Sequence, residues 1–124
     1  MKRILIIVGI FFVLGCKKEP DITIPFIEIN TPTSNKHFVK GDTIHISGSV
    51  THDKTLTDVA VHIMNFSTRM EFFHKYFTPG NQPVFYYYAS YPITDNAKST
   101  FKLEVKATDK DGTTVSEEML IRIN

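Results

Sequence analysis

Ser99-Thr100-Phe101-Lys102-Leu103-Glu104-Val105-Lys106-Ala107 is the stretch that decides the fold. Phe101, Leu103, Val105 and Ala107 recur at every second residue, and Lys102, Glu104 and Lys106 fill the places between. Successive side chains of a strand point to opposite faces, so a period of two predicts a β-strand with one face on a core and one toward water. Thr108-Asp109-Lys110-Asp111-Gly112-Thr113 follows as a hairpin loop, with Gly112 where a positive φ costs little. Residues 114–123 return as the last strand through Met119, Ile121 and Ile123.

The pattern continues upstream. Residues 43–50 alternate strictly, with Ile44, Ile46 and Val50 on one face, Gly48 between them and a Gly41-Asp42 turn in front. Residues 59–64 place Val59, Val61 and Ile63 on one face and Ala60, His62 and Met64 on the other. Residues 22–30 alternate loosely around Pro25, which an edge strand tolerates. Residues 67–77 read two ways. Phe66, Met70, Phe73 and Phe77 stand at helical spacing, and Thr68-Arg69-Met70-Glu71 resembles a capping box. Phe72, Phe73, Tyr76 and Phe77 are strand-favouring residues, residues 84–91 are strand-like too, and residues 78–83 join the two as a hairpin. The strand reading is the one taken forward. About seven strands separated by turns predict an all-β antiparallel sandwich. Residues 22–124 are the right length for one immunoglobulin-like domain of about 100 residues.

The first sixteen residues stand apart from this pattern. Lys2 and Arg3 precede an apolar run over residues 4–14, followed by Gly15 and Cys16. The run falls short of the roughly 20 residues a membrane-spanning helix needs, and its order of charged, apolar and small residues is that of a secretory signal. Val13-Leu14-Gly15-Cys16 resembles a bacterial lipobox, in which the cysteine takes lipid and becomes the new N-terminus. The thiolate is the nucleophile such a transfer requires. The chain thus divides into a signal helix over residues 1–15, a lipidated Cys16 with a polar tether to residue 21, and the sandwich over residues 22–124. The expected location is the bacterial outer membrane, lipid-anchored, facing the periplasm or displayed at the cell surface.

Composition narrows the function. Lys and Arg number 14 against 13 Asp and Glu, so nothing favours a nucleic-acid partner. Without Lys2 and Arg3 the formal charge becomes −1. A single cysteine excludes a disulfide framework and a cysteine-rich zinc site. No Gly-x-Ser-x-Gly or phosphate-cradling glycine loop occurs, so no enzyme is expected.

Gly41-Asp42-Thr43-Ile44, Asp53, Leu56-Thr57-Asp58-Val59 and the final Ala107-Thr108-Asp109-Lys110-Asp111-Gly112 together resemble the Ig-like domains of secreted Bacteroidota proteins. Nearly all of the mature chain looks most like a Bacteroidota-type lipoprotein family of unknown function that carries a histidine-rich run after its third strand. Only His62 and Asn65-Phe66 match that run here, and the histidine cluster itself is missing.

Three sets of residues are candidates for function. Ten of the 15 aromatic residues fall within residues 66–91. A sandwich strand buries one face, yet residues 84–91 carry aromatics on both, so some rings face water, where amphipathic tyrosines suit recognition. Tyr86 and Tyr88, with Phe72 and Tyr76, are the expected contacts for a protein or glycan partner. The alternative function is metal binding, with His45, His62 and His74 as candidate ligands: His45 approaches His62 only if their strands neighbour one another, and otherwise these are ordinary strand histidines. Asp53, Asp58, Asp109 and Asp111 lie near strand ends, where Asp suits either Ca²⁺ or plain turn chemistry. No cofactor is expected beyond these.

Overall fold

A computed structural model describes residues 24–94 and 98–124. The signal segment, Cys16 and the tether lie outside the described residues. Eight strands follow in order: β1 (Phe26–Thr31), β2 (His37–Phe38), β3 (Thr43–Thr51), β4 (Leu56–Asn65), β5 (Glu71–Phe77), β6 (Val84–Pro92), β7 (Ser99–Asp109) and β8 (Thr114–Ile123). They form a three-stranded sheet in the order β1-β3-β6 and a five-stranded sheet in the order β2-β8-β7-β4-β5. The two sheets pack as the predicted Ig-like sandwich. The strand beyond the seven expected is β2, only two residues long and paired parallel to β8. Two residues are too few to show a period.

The alternations seen in the sequence become the core. Ile44, Ile46, Val50 and Tyr87 come from the smaller sheet, and Val59, Val61, Ile63, Phe101, Leu103, Val105 and Ile121 from the larger; all are buried. At about 25 cal/mol per Å², each such aliphatic side chain contributes about 1.5–3 kcal/mol by leaving water.

Residues 71–77 form a strand, as the β-favouring aromatics argue. The segment that mimicked a capping box is a turn instead. Asn65 Oδ1 accepts the amides of Ser67 and Thr68, each at 2.9 Å, and so ends β4 without starting a helix. A bulge between Ile63 and Met64 then offsets the pairing of β4 with β5.

The edge strands β5 and β6 close one side of the sandwich. Phe73 meets Tyr91 and Phe77 meets Phe85, at ring separations of 5.6 and 5.7 Å. Lys75 occupies an inward-facing place on β5, opposite Val61. Its Nζ lies 5.1 Å from the Phe77 ring centre and donates to the Tyr88 carbonyl at 3.2 Å. A charge turned in at a sheet edge discourages a further strand from pairing there.

Candidate functional site

The smaller sheet sets its tyrosines by alternation. β6 pairs with β3 so that Ser49 stands opposite Tyr86, Gly48 opposite Tyr87 and Ser47 opposite Tyr88. Tyr87 is 2% exposed, whereas Tyr86 is 75% and Tyr88 53% exposed. The buried ring passes over Gly48, where a Cβ would collide with it, and its hydroxyl donates to the Glu28 carbonyl on β1 at 2.6 Å. Burial, and then the charges of Glu117 and Glu28, push the Tyr87 hydroxyl far above its ordinary pKa, so it remains a protonated donor. With Tyr87 held inward, its neighbours have no choice but to face out.

Small hydroxyl residues surround the two outward rings. Ser47 and Thr31 share a hydrogen bond of 2.7 Å, and Ser49 is nearly covered. Tyr88 is steadied by His45, whose Nδ1 lies 2.9 Å from the phenol oxygen and whose ring stacks at 6.2 Å. Phe26, 58% exposed, stands beyond Thr51 at one end of the same face. The result is an open face of aromatic rings with polar tips beside hydroxyls. It offers apolar contact area that costs little side-chain entropy to order.

Tyr76 and Phe72 do not join this face. Tyr76 is 60% exposed, but it projects from β5 on the outer side of the larger sheet. Phe72 falls in the bulge and is turned inward, packing edge-on against Phe101 at 5.1 Å. The four-residue contact set read from the sequence is therefore divided. Sequence position could not show this, because Tyr76 and Tyr86 are near in the chain but belong to different sheets.

The histidines divide the same way. β3 and β4 lie in different sheets, so His45 and His62 face away from each other, and the pairing of those two is overturned. His62 and His74 stand directly opposite each other on β4 and β5. Glu71 reaches both: its Oε1 is 3.3 Å from His62 Nδ1 and 2.8 Å from His74 Nδ1. Tyr76 rests beside both imidazoles at ring separations of 5.7 and 5.2 Å. On the same face, a groove of about 590 Å³ runs under the β4–β5 loop between Phe66 and the Lys102–Glu104–Lys106 row. Glu104 pairs there with both lysines, at 3.8 and 3.3 Å. Among the described residues, no group of three or more His, Cys, Asp or Glu could hold a metal ion.

Two of the aspartates, Asp109 and Asp111, hold structural contacts. Asp109 is buried and receives His52 Nε2 on one oxygen at 3.0 Å. Its other oxygen accepts the amides of Asp111 and Thr113 at 2.9 and 3.0 Å. These bonds shape the β7–β8 loop, whose Gly112 adopts the expected positive φ of 83°. Burial alone would raise the Asp109 pKa, but the hydrogen bonds from His52 and the two amides outweigh it, so the carboxyl lies below its ordinary value. Asp111 pairs with Lys54 at 2.6 Å. The buried His52–Asp109 pair went unseen in the sequence: 57 residues separate its members, and no local pattern joins them.

No family model matches the chain, and no curated protein matches it in sequence. Its fold is similar to solved structures. The fibronectin(III)-like modules of CbhA from Clostridium thermocellum are 18% identical at a TM-score of 0.55, over 79% of this chain and 94% of that one. CopC from Methylosinus trichosporium is 11% identical at a TM-score of 0.50, over 81% and 93%. The CARDB domain of a Pyrococcus furiosus protein, solved in complex with di-metal ions, is 8% identical at a TM-score of 0.52, over 81% and 87%. At these identities the likeness is one of fold: the chain carries a fibronectin III-like, Ig-like β-sandwich.

Proposed function

We propose that this chain is a non-enzymatic binding module, held by lipid on Cys16 at the bacterial outer membrane, that contacts a protein or glycan partner through the outward face of its smaller sheet. The observation carrying this reading is the pair Tyr86 and Tyr88, exposed on an edge strand while Tyr87 between them is buried. Exposed apolar groups gathered into one patch, unlike single scattered ones, mark a contact surface. Tyr76 and Phe72 are left out of the contact set, since neither lies on this face. Likeness to the fibronectin(III)-like modules of CbhA supports the sandwich fold that displays this face. The lipobox and the short polar tether support an anchored domain standing just off the membrane, facing the periplasm or the outside.

The test is a double substitution, Tyr86→Ala with Tyr88→Ala. Stability should change by no more than about 1 kcal/mol, as is usual for exposed positions. Retention on immobilised glycans and on detergent-extracted outer-membrane proteins should drop at least tenfold, because exposed aromatic anchors dominate such contacts. Retention equal to that of the unsubstituted protein on every surface that binds it would remove the tyrosine face from the function.

A further inference from the structure

On the opposite side of the sandwich from the tyrosines, we infer that the groove under the β4–β5 loop binds an acidic saccharide, with Arg69 taking its carboxylate and Phe66 lying against its ring. The site is independent of the tyrosine face and can fail or succeed without it.

The groove, of about 590 Å³, falls within the roughly 300–1,000 Å³ of small-ligand sites. Arg69, Lys102 and Lys106 bring three positive charges to its lining, and Glu104 brings one negative charge. Glu104 is shared by the two lysines, at 3.8 Å from Lys102 and 3.3 Å from Lys106. Glu118 takes Lys102 at 3.3 Å, and Glu71, the next carboxylate on this face, is engaged by His62 and His74. The surplus cation is Arg69, which has no ion pair among the described residues. A guanidinium presents a planar fork of donors that matches a carboxylate in a way an ammonium does not.

The backbone at Arg69 is a second, separate observation. Its φ is 60°, in the left-handed region where a Cβ is disfavoured and Gly is the easier choice. The loop imposes this conformation. The Arg69 amide donates to the Asn65 carbonyl at 2.9 Å, the Asn65 amide donates to the Met70 carbonyl at 2.8 Å, and Asn65 Oδ1 holds the amides of Ser67 and Thr68. A long charged side chain at such a place adds strain without forming an ion pair among the described residues. Strain of this kind gathers at ligand clamps.

The rest of the lining selects the ligand class. Met64 and Phe66 are its apolar members, and Phe66 is 55% exposed. So little apolar wall leaves a fatty acid almost nothing to be buried against. A pyranose offers one C–H face to a ring such as Phe66 and hydroxyl edges to polar walls, and an acidic pyranose adds the carboxylate that Arg69 lacks.

The test titrates the full chain, kept in detergent micelles, with trigalacturonate and separately with its fully methyl-esterified form, which keeps the shape and loses the charge. Calorimetry should read one trigalacturonate per chain, and the ester should bind at least tenfold more weakly. Arg69→Gly and Arg69→Asn, both suited to this φ, should hold the thermal midpoint and weaken binding at least tenfold. Phe66→Ala should weaken it at least fivefold. Lys110→Gln, at the other end of the sandwich, and Tyr86→Ala with Tyr88→Ala should leave it unchanged. Undiminished binding in Arg69→Gly, equal binding of the ester, tighter binding of triglutamate, or no binding by the parent chain at millimolar trigalacturonate would overturn the assignment. A midpoint that falls in both Arg69 variants would also overturn it, by giving Arg69 a structural role.

Discussion

Gly48→Ala tests how the tyrosine face is built. Gly48 lies on β3 between Ile29 of β1 and Tyr87 of β6, and the Tyr87 ring crosses it to reach the Glu28 carbonyl. A methyl group there would overlap the Tyr87 ring, its hydroxyl and that carbonyl. None of these gives way easily: the carbonyl is backbone, and the ring is 2% exposed within the core. Overpacking of this kind costs about 1–3 kcal/mol. Displacing the hydroxyl forfeits about 1 kcal/mol of net hydrogen bonding, and about 1–3 kcal/mol more if either group stays buried without a partner. Alanine returns about 0.5–1 kcal/mol by restricting the unfolded chain. The balance is a loss of about 3 kcal/mol, set chiefly by the overpacking and the lost bond. For a domain of this size that lowers the melting temperature by about 12–24 °C. Tyr87→Phe removes only the hydroxyl and should cost about 1 kcal/mol. Urea unfolding followed by tyrosine fluorescence and far-UV circular dichroism gives both numbers, there being no Trp in the chain. If Gly48→Ala costs less than Tyr87→Phe, the close crossing is not what holds Tyr87 inward, and the argument for the outward pair fails with it.

Three further outcomes are expected. Leu103→Asp should abolish the folded state, because it sets an unpaired charge at a fully buried place in the central strand β7; a cooperative unfolding transition in the variant would contradict this core. Asp109 has a depressed folded pKa, so its contribution to stability is full above the ordinary carboxylate value of 3.8 and is lost as pH falls through the lower folded value. Asp109→Asn should flatten that acid limb of a stability–pH curve, and an unchanged limb would place the acid sensitivity elsewhere. Cys16→Ser should prevent attachment of lipid, since serine supplies no thioether; partition of the variant into a detergent phase at processed size would refute the anchor.

Fold class and most strand positions are legible in the order of the residues. Phe101, Leu103 and Val105 alternate because a strand's side chains alternate, and that period is written locally in the residues. The parity of residues 84–91 was legible for the same reason, with Tyr87 inward and Tyr86 and Tyr88 outward. The fate of residues 67–77 was ambiguous, since their aromatics fit both periods until Asn65 capped a turn and β4 supplied a partner strand. Tertiary structure alone decided which candidates share a face. Sheet membership put His45 with Tyr88, and His62 with His74, Glu71 and Tyr76, and one bulge turned Phe72 inward. It also joined His52 to Asp109 across 57 residues. Which strands become neighbours depends on long-range packing of the whole core, and a local pattern of apolar and polar residues carries no record of that choice.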